Sequence, residues 1–583
     1  MKKRFISMLL VASMTLAAFV GCGSNDKPAE STGDVTNDEV KAEKPDWTTY
    51  DSLIDQIRTE TDLAARVDLM HQAEDMMMAT GCVIPIYYYV NQYVQSANVD
   101  GIYWTSTGMK YFQYASKKDG NTVFNACLAS EPDYLDPQLN SSVDGGILAV
   151  NTFEGLTTIA PDRSVVGGQA ESWTETANDD GTVTVEFTMR DGLKWSNGDT
   201  LDATDFVYSW NRAVAAETAA DYAYLYDIIA KNADGSLMIS ASEDAKTFTV
   251  TLSAPCAYFL ELCAFPALFP VYEESVVAGN KDGQTPGGWA LEASSTFVCN
   301  GPFVLNAWEH ESSMKYVKNP NYRDAENVNF TELNFMLTSD DSIAFSAFKT
   351  GDLDLSLLVP TAEIANLNGT PEYHVDPYLG TYYVAWNINS DIYAELGIND
   401  YADQVTFRNA ITLLIDRDYI VEEIGQAGQV PANTFIPAGC ADGNGGEFRA
   451  NSSSYSFPVA DETGYYSLSD YEANKAEAIE MLKSIGFEFN GDVLSDSTPI
   501  YFDYLVNTST GNVAIGEAIQ ADLKSVGIEM TIVQEEWNVF LEDRKKGNYD
   551  FAREGWIMDY NDPINMLEMW TTESGNNDCQ FGR

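Results

Sequence analysis

Histidine is nearly missing from this chain, with three in 583 residues, at 71, 310 and 374. His71 falls in a helical pattern and the other two stand alone, which argues against a histidine-held metal and against a serine–histidine–carboxylate triad. No G-x-S-x-G, G-x-G-x-x-G, Walker A, HExxH or EF-hand loop occurs either. Paired carboxylates of the kind that cleave glycosides carry no signal here, because 88 acidic residues create many pairs by chance. Positive charge is the second shortage. Lys+Arg 33 against Asp+Glu 88 gives a net charge of -55 and a pI near 4.1. Such a surface repels phosphate backbones, so nucleic acid is not an expected partner. CxxC pairs are absent too. Seven cysteines lie beyond Cys22, an odd number at irregular spacing, and in a chain of this size they read as buried thiols rather than a disulfide scaffold. Beyond the N-terminus no run is long and apolar enough to span a bilayer. "YFLELCAFPALFPVY" (258–272) comes nearest, but Glu261 and two prolines mark it as a core segment.

What is present begins with an export signal. "MKKRF" is basic, "FISMLLVASMTLAAFV" is apolar, and "GC" follows. Cys22 after Gly21 resembles a bacterial lipobox, which implies lipidation of that cysteine and an anchored protein on the outer face of the cytoplasmic membrane. Residues 23–46 contain almost nothing that can be buried and read as a disordered tether, with an end-to-end distance of about 27 Å. The remaining length exceeds what one core serves, so two or three domains are expected. Strand patterns at 182–189, 247–253, 332–338, 373–388 and 498–506 mix with helical patterns at 403–415, 470–485, 511–525 and 537–546. A turn, "SNGD" (196–199), precedes a helix whose N-cap is Asp202, with Asp205 three residues on. Strict βαβ alternation and internal repeats are missing, which points to an α/β protein of several lobes with mixed sheets. Directly after the tether, "TYDSLIDQI" and "DLAARVDLMHQAEDMMMATG" read as amphipathic helices, the second closed by Gly81, and "CVIPIYYYV" reads as a strand.

Several long stretches carry a family resemblance. "AESWTETANDDGTVTVEFTMRDGLKWSNGDTLDATDFVYSWNRAV" (170–214), "DPYLGTYYVAWNIN" (376–389), "FRNAITLLIDRDYIV" (407–421), "EEWNVFLEDRKKGNYDFAREGWIMDYNDP" (535–563) and "IPIYYYVNQYV" (84–94) are similar to segments of the family 5 bacterial extracellular solute-binding proteins. These are the oligopeptide- and dipeptide-binding components of ABC importers. The resemblance implies a two-lobed, periplasmic-binding-protein-like fold (type II, cluster C-like) with an extra subdomain and a hinge. It implies no cofactor, no resident metal and no catalysis, and a monomer that works with permease and ATPase subunits. By the same resemblance 47–90 and 380–583 form one lobe, 91–153 and 288–379 the other, and 154–287 the subdomain. The order is unusual: the stretch like 47–118 normally ends the family's chains, whereas here it precedes "NTVFNACLASEPDYLDPQ", the usual beginning. The chain resembles a circular permutant, with Asp119-Gly120 at the fused ends in a tight turn able to make a hairpin.

The resemblance also nominates site residues. Asp559 matches the aspartate that binds a peptide's α-ammonium, and Arg553 an arginine available to its carboxylate. Without the resemblance, Asp559 reads equally as a turn former or helix cap and Arg553 as half of a structural ion pair. Trp556, Trp537, Tyr222, Tyr378, Tyr383 and Tyr89 match cleft-lining positions, where aromatic walls give area without demanding one side chain. Arg544 matches another cleft arginine; Val143, Gly555 and Ile557 match positions that offer backbone groups to an added strand. Gly380 and Ile557 stand where the oligopeptide branch can carry a cysteine pair, so that bridge is excluded. Ser141 stands where an acid is common, and Asn512 where a histidine can occur. The same fold also serves as a receptor for signalling peptides or as a binder of nickel, haem or oligosaccharide. A secreted hydrolase, the reading from another class, has no nucleophile motif behind it.

Overall fold

The computed structural model describes residues 44–129, 131–279 and 286–583. Cys22 and residues 23–43 of the expected tether lie outside them.

Two long strands carry the architecture. Val83–Gln95 and Tyr373–Trp386 run antiparallel along their whole length, from Val83 opposite Ala385 to Val94 opposite Tyr373. At one end Val94–Gln95 pairs with Leu355–Ser356, and the sheet continues through Val123–Cys127, Glu332–Met336, Ser313–Lys318 and Phe303–Glu309. At the other end Gly380–Trp386 pairs with Phe551–Ile557, followed by Tyr501–Asn507 and Glu529–Glu535. Parallel and antiparallel ladders mix in this one sheet. The result is two lobes joined by two continuous strands, a mixed α/β fold. Register shifts fall between Pro85 and Tyr87 and between Tyr88 and Val90. Bulges of this kind bend a strand and re-aim its side chains. Tyr87 and Tyr88 are buried, while Tyr89 remains partly exposed and faces a cavity.

Residues 170–252 contribute a separate antiparallel sheet of four strands, in the order Ile239–Ala241, Thr247–Leu252, Val183–Met189, Ala170–Ala177. Val183, Val185, Phe187 and Met189 are buried while Glu186 and Thr188 are exposed, the alternation of a one-sided sheet. The helix Ala203–Ala213 starts at a complete capping box: Asp202 accepts from Thr204 N, and Asp205 accepts from Asp202 N at 2.8 Å.

The two helices after the tether pack far along the chain. Tyr50, Ile54 and Ile57 of Thr48–Thr59 are fully buried, each burial contributing roughly 1.5–3 kcal/mol. Trp47 Nε1 donates to Trp570 O at 2.8 Å, and Tyr50 Oη donates to Leu567 O at 2.8 Å. Arg66 grips Asp562 through two nitrogens, both at 2.8 Å. At the fused ends the turn forms, with Gly120 at φ 80° and its N–H donating to Lys117 O. The hairpin does not. Ser116–Lys117 pairs with Val99–Asp100, and Val123–Cys127 is sandwiched between Glu332–Met336 and Leu355–Ser356. Val123–Cys127 gains two neighbours inside the large sheet, which a ribbon with Ser116–Lys117 could not provide, and Ser116–Lys117 is left to a short two-stranded ribbon with Val99–Asp100. The seven cysteines of the described residues are free, all but Cys256 buried.

Candidate functional site

A cavity of ≈ 340 Å³ opens between the lobes. One wall is the strand Phe551–Ile557 and the turn after it, which bring Arg553, Gly555, Trp556, Ile557 and Asp559 to the surface of the cavity. The helix Trp537–Lys546 adds Trp537 and Arg544. The two connecting strands add Tyr89, Tyr378 and Tyr383, the stretch that carries the separate four-stranded sheet adds Tyr222, and the first turn of Val143–Thr152 adds Val143. All twelve residues nominated from the sequence therefore meet at one place. Gly380 and Ile557 sit directly opposite each other across the ladder. The ladder between Phe551–Ile557 and Tyr501–Asn507 ends at Ala552 opposite Leu505, so from Arg553 to Ile557 that edge has no strand partner among the described residues.

The charges sort into paired and unpaired groups. Arg544 lines the cavity but is consumed by two carboxylates, Glu554 at 2.6 Å and Asp578 at 3.1 Å. Its expected availability to a ligand is thus reduced by neighbours that only the fold supplies. Lys545 is bound by Asp221 and by Ser141 Oγ at 2.9 Å, linking three separate stretches of chain. Asp559 has no such partner. Its carboxylate accepts from Tyr222 Oη at 3.1 Å and from Asn565 Nδ2 at 2.8 Å, and no cation of the described residues reaches it. Burial pushes its carboxyl up to about 7, against the hydrogen bonds from Asn565 and Tyr222 that hold it down. It caps no helix.

Arg553 is the counterpart. No carboxylate lies within ion-pair distance of it among the described residues. Nη2 donates to Tyr89 Oη at 3.4 Å, and the guanidinium lies 5.3 Å from the Tyr382 ring centre and 6.0 Å from that of Trp537. Arg553 Nε and Trp537 Nε1 are buried donors with no acceptor in the protein. Such groups cost free energy unless something accepts from them. Trp556 is held by its indole N–H to Asn565 Oδ1 at 3.1 Å, the same asparagine that braces Asp559. The sequence reading missed Asp144, Lys545, Glu554 and Asp578, which also line the cavity. Lys545 stands next to Arg544 and Asp144 next to Val143, so adjacency was the available signal. Their roles depend on distant partners that adjacency does not reveal.

Comparison with known proteins agrees with this geometry. Residues 164–578 match the bacterial extracellular solute-binding proteins, family 5 (middle region). The chain belongs to that family. It is a solute-binding protein and not an enzyme, from a family of extracellular proteins, and no helix among its described residues is long and apolar enough to cross a membrane. It is 33% identical over 477 residues to the oligopeptide-binding protein OppA of Bacillus subtilis (strain 168), covering 79% of this chain and 80% of the relative. It is 30% identical over 471 residues to the dipeptide-binding protein DppE of the same organism, covering 79% of each. Among solved structures, Haemophilus influenzae OppA in complex with RPPGFSPFR superposes with a TM-score of 0.67 at 25% identity, covering 79% of this chain and 85% of that one. Listeria monocytogenes OppA bound to peptide gives 0.65 at 25% identity, covering 79% and 86%. In this solute-binding protein the two connecting strands thus hold the lobes on either side of the cavity that the candidate residues line.

Proposed function

We propose that this solute-binding protein captures short peptides as free zwitterions and delivers them to the permease of an ABC importer. The observation that carries the reading is that Asp559 and Arg553, an acid and a base, line one cavity and neither makes an ion pair with an opposite charge of the described residues. A peptide supplies an ammonium to the first and a carboxylate to the second, and charge-assisted contacts of this kind contribute about 1.5–3 kcal/mol each. Arg553 Nε and Trp537 Nε1 become donors to that carboxylate, and the unpartnered edge at Gly555 and Ile557 offers backbone groups to an extended chain, as does Val143 from across the cavity. Trp556, Tyr222, Tyr378 and Tyr383 give apolar area that accepts many side chains. The relatives' names, oligopeptide- and dipeptide-binding, favour the same ligand class. A cavity of ≈ 340 Å³ is at the small end for ligand sites, which favours peptides of a few residues. Mass spectrometry of ligands released from the purified protein tests this: short peptides are expected, and a metal, a haem or a sugar in their place overturns it.

The anchor proposed at Cys22 places this capture at the outer face of the cytoplasmic membrane. Cys22→Ala is expected to release the protein from membranes in a fractionation assay. We also propose the lobe boundaries given above and the circular permutation. Their support is that Lys44 Nζ and Arg583 O both contact the Asn389 side chain, at 2.6 Å and 3.1 Å, and that Trp47 stacks on Phe581 at 4.2 Å.

A further inference from the structure

Counting the cavity's charges leaves an excess. The acids lining it are Asp144, Glu554, Asp559 and Asp578, and the bases are Arg544, Lys545 and Arg553. Arg544 is matched to Glu554 and Asp578, and Lys545 to Asp221. A zwitterion satisfies Asp559 and Arg553. Asp144 then remains, a carboxylate 8% exposed with no basic residue of the described chain at ion-pair distance.

Its own helix and the residue before it account for part of its position. Asp144 sits in the first turn of Val143–Thr152, where negative charge is favoured; it accepts from Gly145 N at 3.0 Å, and a hydrogen bond with the Ser142 side chain also favours its charged form. That support does not offset its surroundings. Burial pushes its carboxyl up to about 6, and the charge acting on it is a second acid, Asp133, rather than a cation. Asp144 lines the same cavity as Arg553.

We propose, resting on the peptide reading above, that Asp144 receives a lysine or arginine side chain of the bound peptide, so that the site prefers a ligand of net positive charge. The position within the peptide follows from a row of neighbours. Arg553 touches Tyr89, Tyr89 meets Tyr378 at 6.0 Å between ring centres, and the Asp144 charge acts on the Tyr378 hydroxyl. Asp144 thus belongs with the carboxylate end, and Asp559, beside Tyr222 and Trp556, with the ammonium end. The basic residue is the last one. Its methylenes pass the Tyr378 ring, and its cation gains both the ring face and the carboxylate.

The test is calorimetry on the full chain with Ala-Lys and Ala-Ala-Lys against the same peptides carrying norleucine, which keeps the stem and removes the charge. The wild type is expected to favour the lysine peptides by on the order of tenfold. Asp144→Asn is expected to erase that preference, its lysine and norleucine peptides binding within about twofold of each other. A wild type indifferent to the charge overturns the proposal without any need for the variant to fold. So does a preference that survives in Asp144→Asn. If the wild type binds none of the four peptides, the peptide reading itself fails and this inference falls with it.

Discussion

Asp559 is a buried carboxylate with no cation of the described residues beside it. The protein supplies two neutral donors, Asn565 and Tyr222, and a buried setting that favours the protonated acid. Because burial raises its folded-state value above the unfolded one of about 4, the cost of ionising it is absent at low pH and is complete above about 7. Asp559→Asn is therefore expected to raise the stability of the ligand-free protein above pH 7, by on the order of 1–3 kcal/mol in denaturant titrations, while peptide binding is lost. Asp559→Ala loses binding as well, because a buried ammonium left without its counter-charge is costly. The wild type's affinity follows the same titration. Below about pH 7 binding must first remove a proton from Asp559, and above about 8 the peptide's ammonium is lost. Calorimetric affinity plotted against pH should peak between those values; a flat profile from pH 5 to 7 separates Asp559 from the ammonium.

At the scale of elements, the strand Phe551–Ile557 works because one residue in it has no side chain. A Cβ on Gly555 would stand 2.4 Å from Tyr89 Oη and 3.4 Å from Arg553 Nη2. Gly555→Ala is thus expected to push Tyr89 out of its contact with Arg553 and to weaken peptide binding by roughly tenfold, with the melting temperature little changed. Calorimetry beside a thermal melt checks both halves. A second element-level contact fastens the helix Leu63–Met78 to the turn after Asp559. Arg66 and Asp562 are buried and doubly bonded, and removing one partner leaves the other charge uncompensated. Arg66→Ala should cost about 3–5 kcal/mol in equilibrium unfolding.

For the molecule as a whole, a net charge of -55 favours the approach of cations over anions. Association of cationic peptides is expected to outpace that of acidic ones at low ionic strength, with the gap closing once the Debye length falls to about 10 Å near 0.1 M salt. Stopped-flow rates at two salt concentrations decide it; equal rates at low salt refute the steering. The proposed permutation has its own test. Moving residues 44–118 to follow Arg583 reconnects ends that already share Asn389. The rearranged protein should unfold at the same denaturant midpoint and bind peptide within about twofold, since covalent order at an exposed connection contributes little to the packed state. Loss of folding would show that the present order is needed.

The sequence by itself determined the local structure and pointed to residues that the fold brings to one cavity. The capping box at Asp202, the alternation from Val183 to Met189 and the left-handed turn at Gly81, just past the helix that Ala79 caps, follow from interactions within a few residues, which the chain displays in order. The twelve nominated residues were legible through long family-like stretches, and the structure gathers them in one cavity. Only the tertiary structure decided which charges are free. Arg544 and Arg553 look alike in the chain, nine positions apart, yet one is taken up by Glu554 and Asp578 and the other meets only the aromatic residues Tyr89, Tyr382 and Trp537 at close range. The expected hairpin at Gly120 failed for a related reason, since Val123–Cys127 was taken into the large sheet and Ser116–Lys117 paired with Val99–Asp100 instead. Turn chemistry and side-chain periodicity act over a few residues. Charge pairing and strand pairing are competitions among groups brought together from anywhere in the chain, and their outcome exists only once the lobes have closed around the cavity.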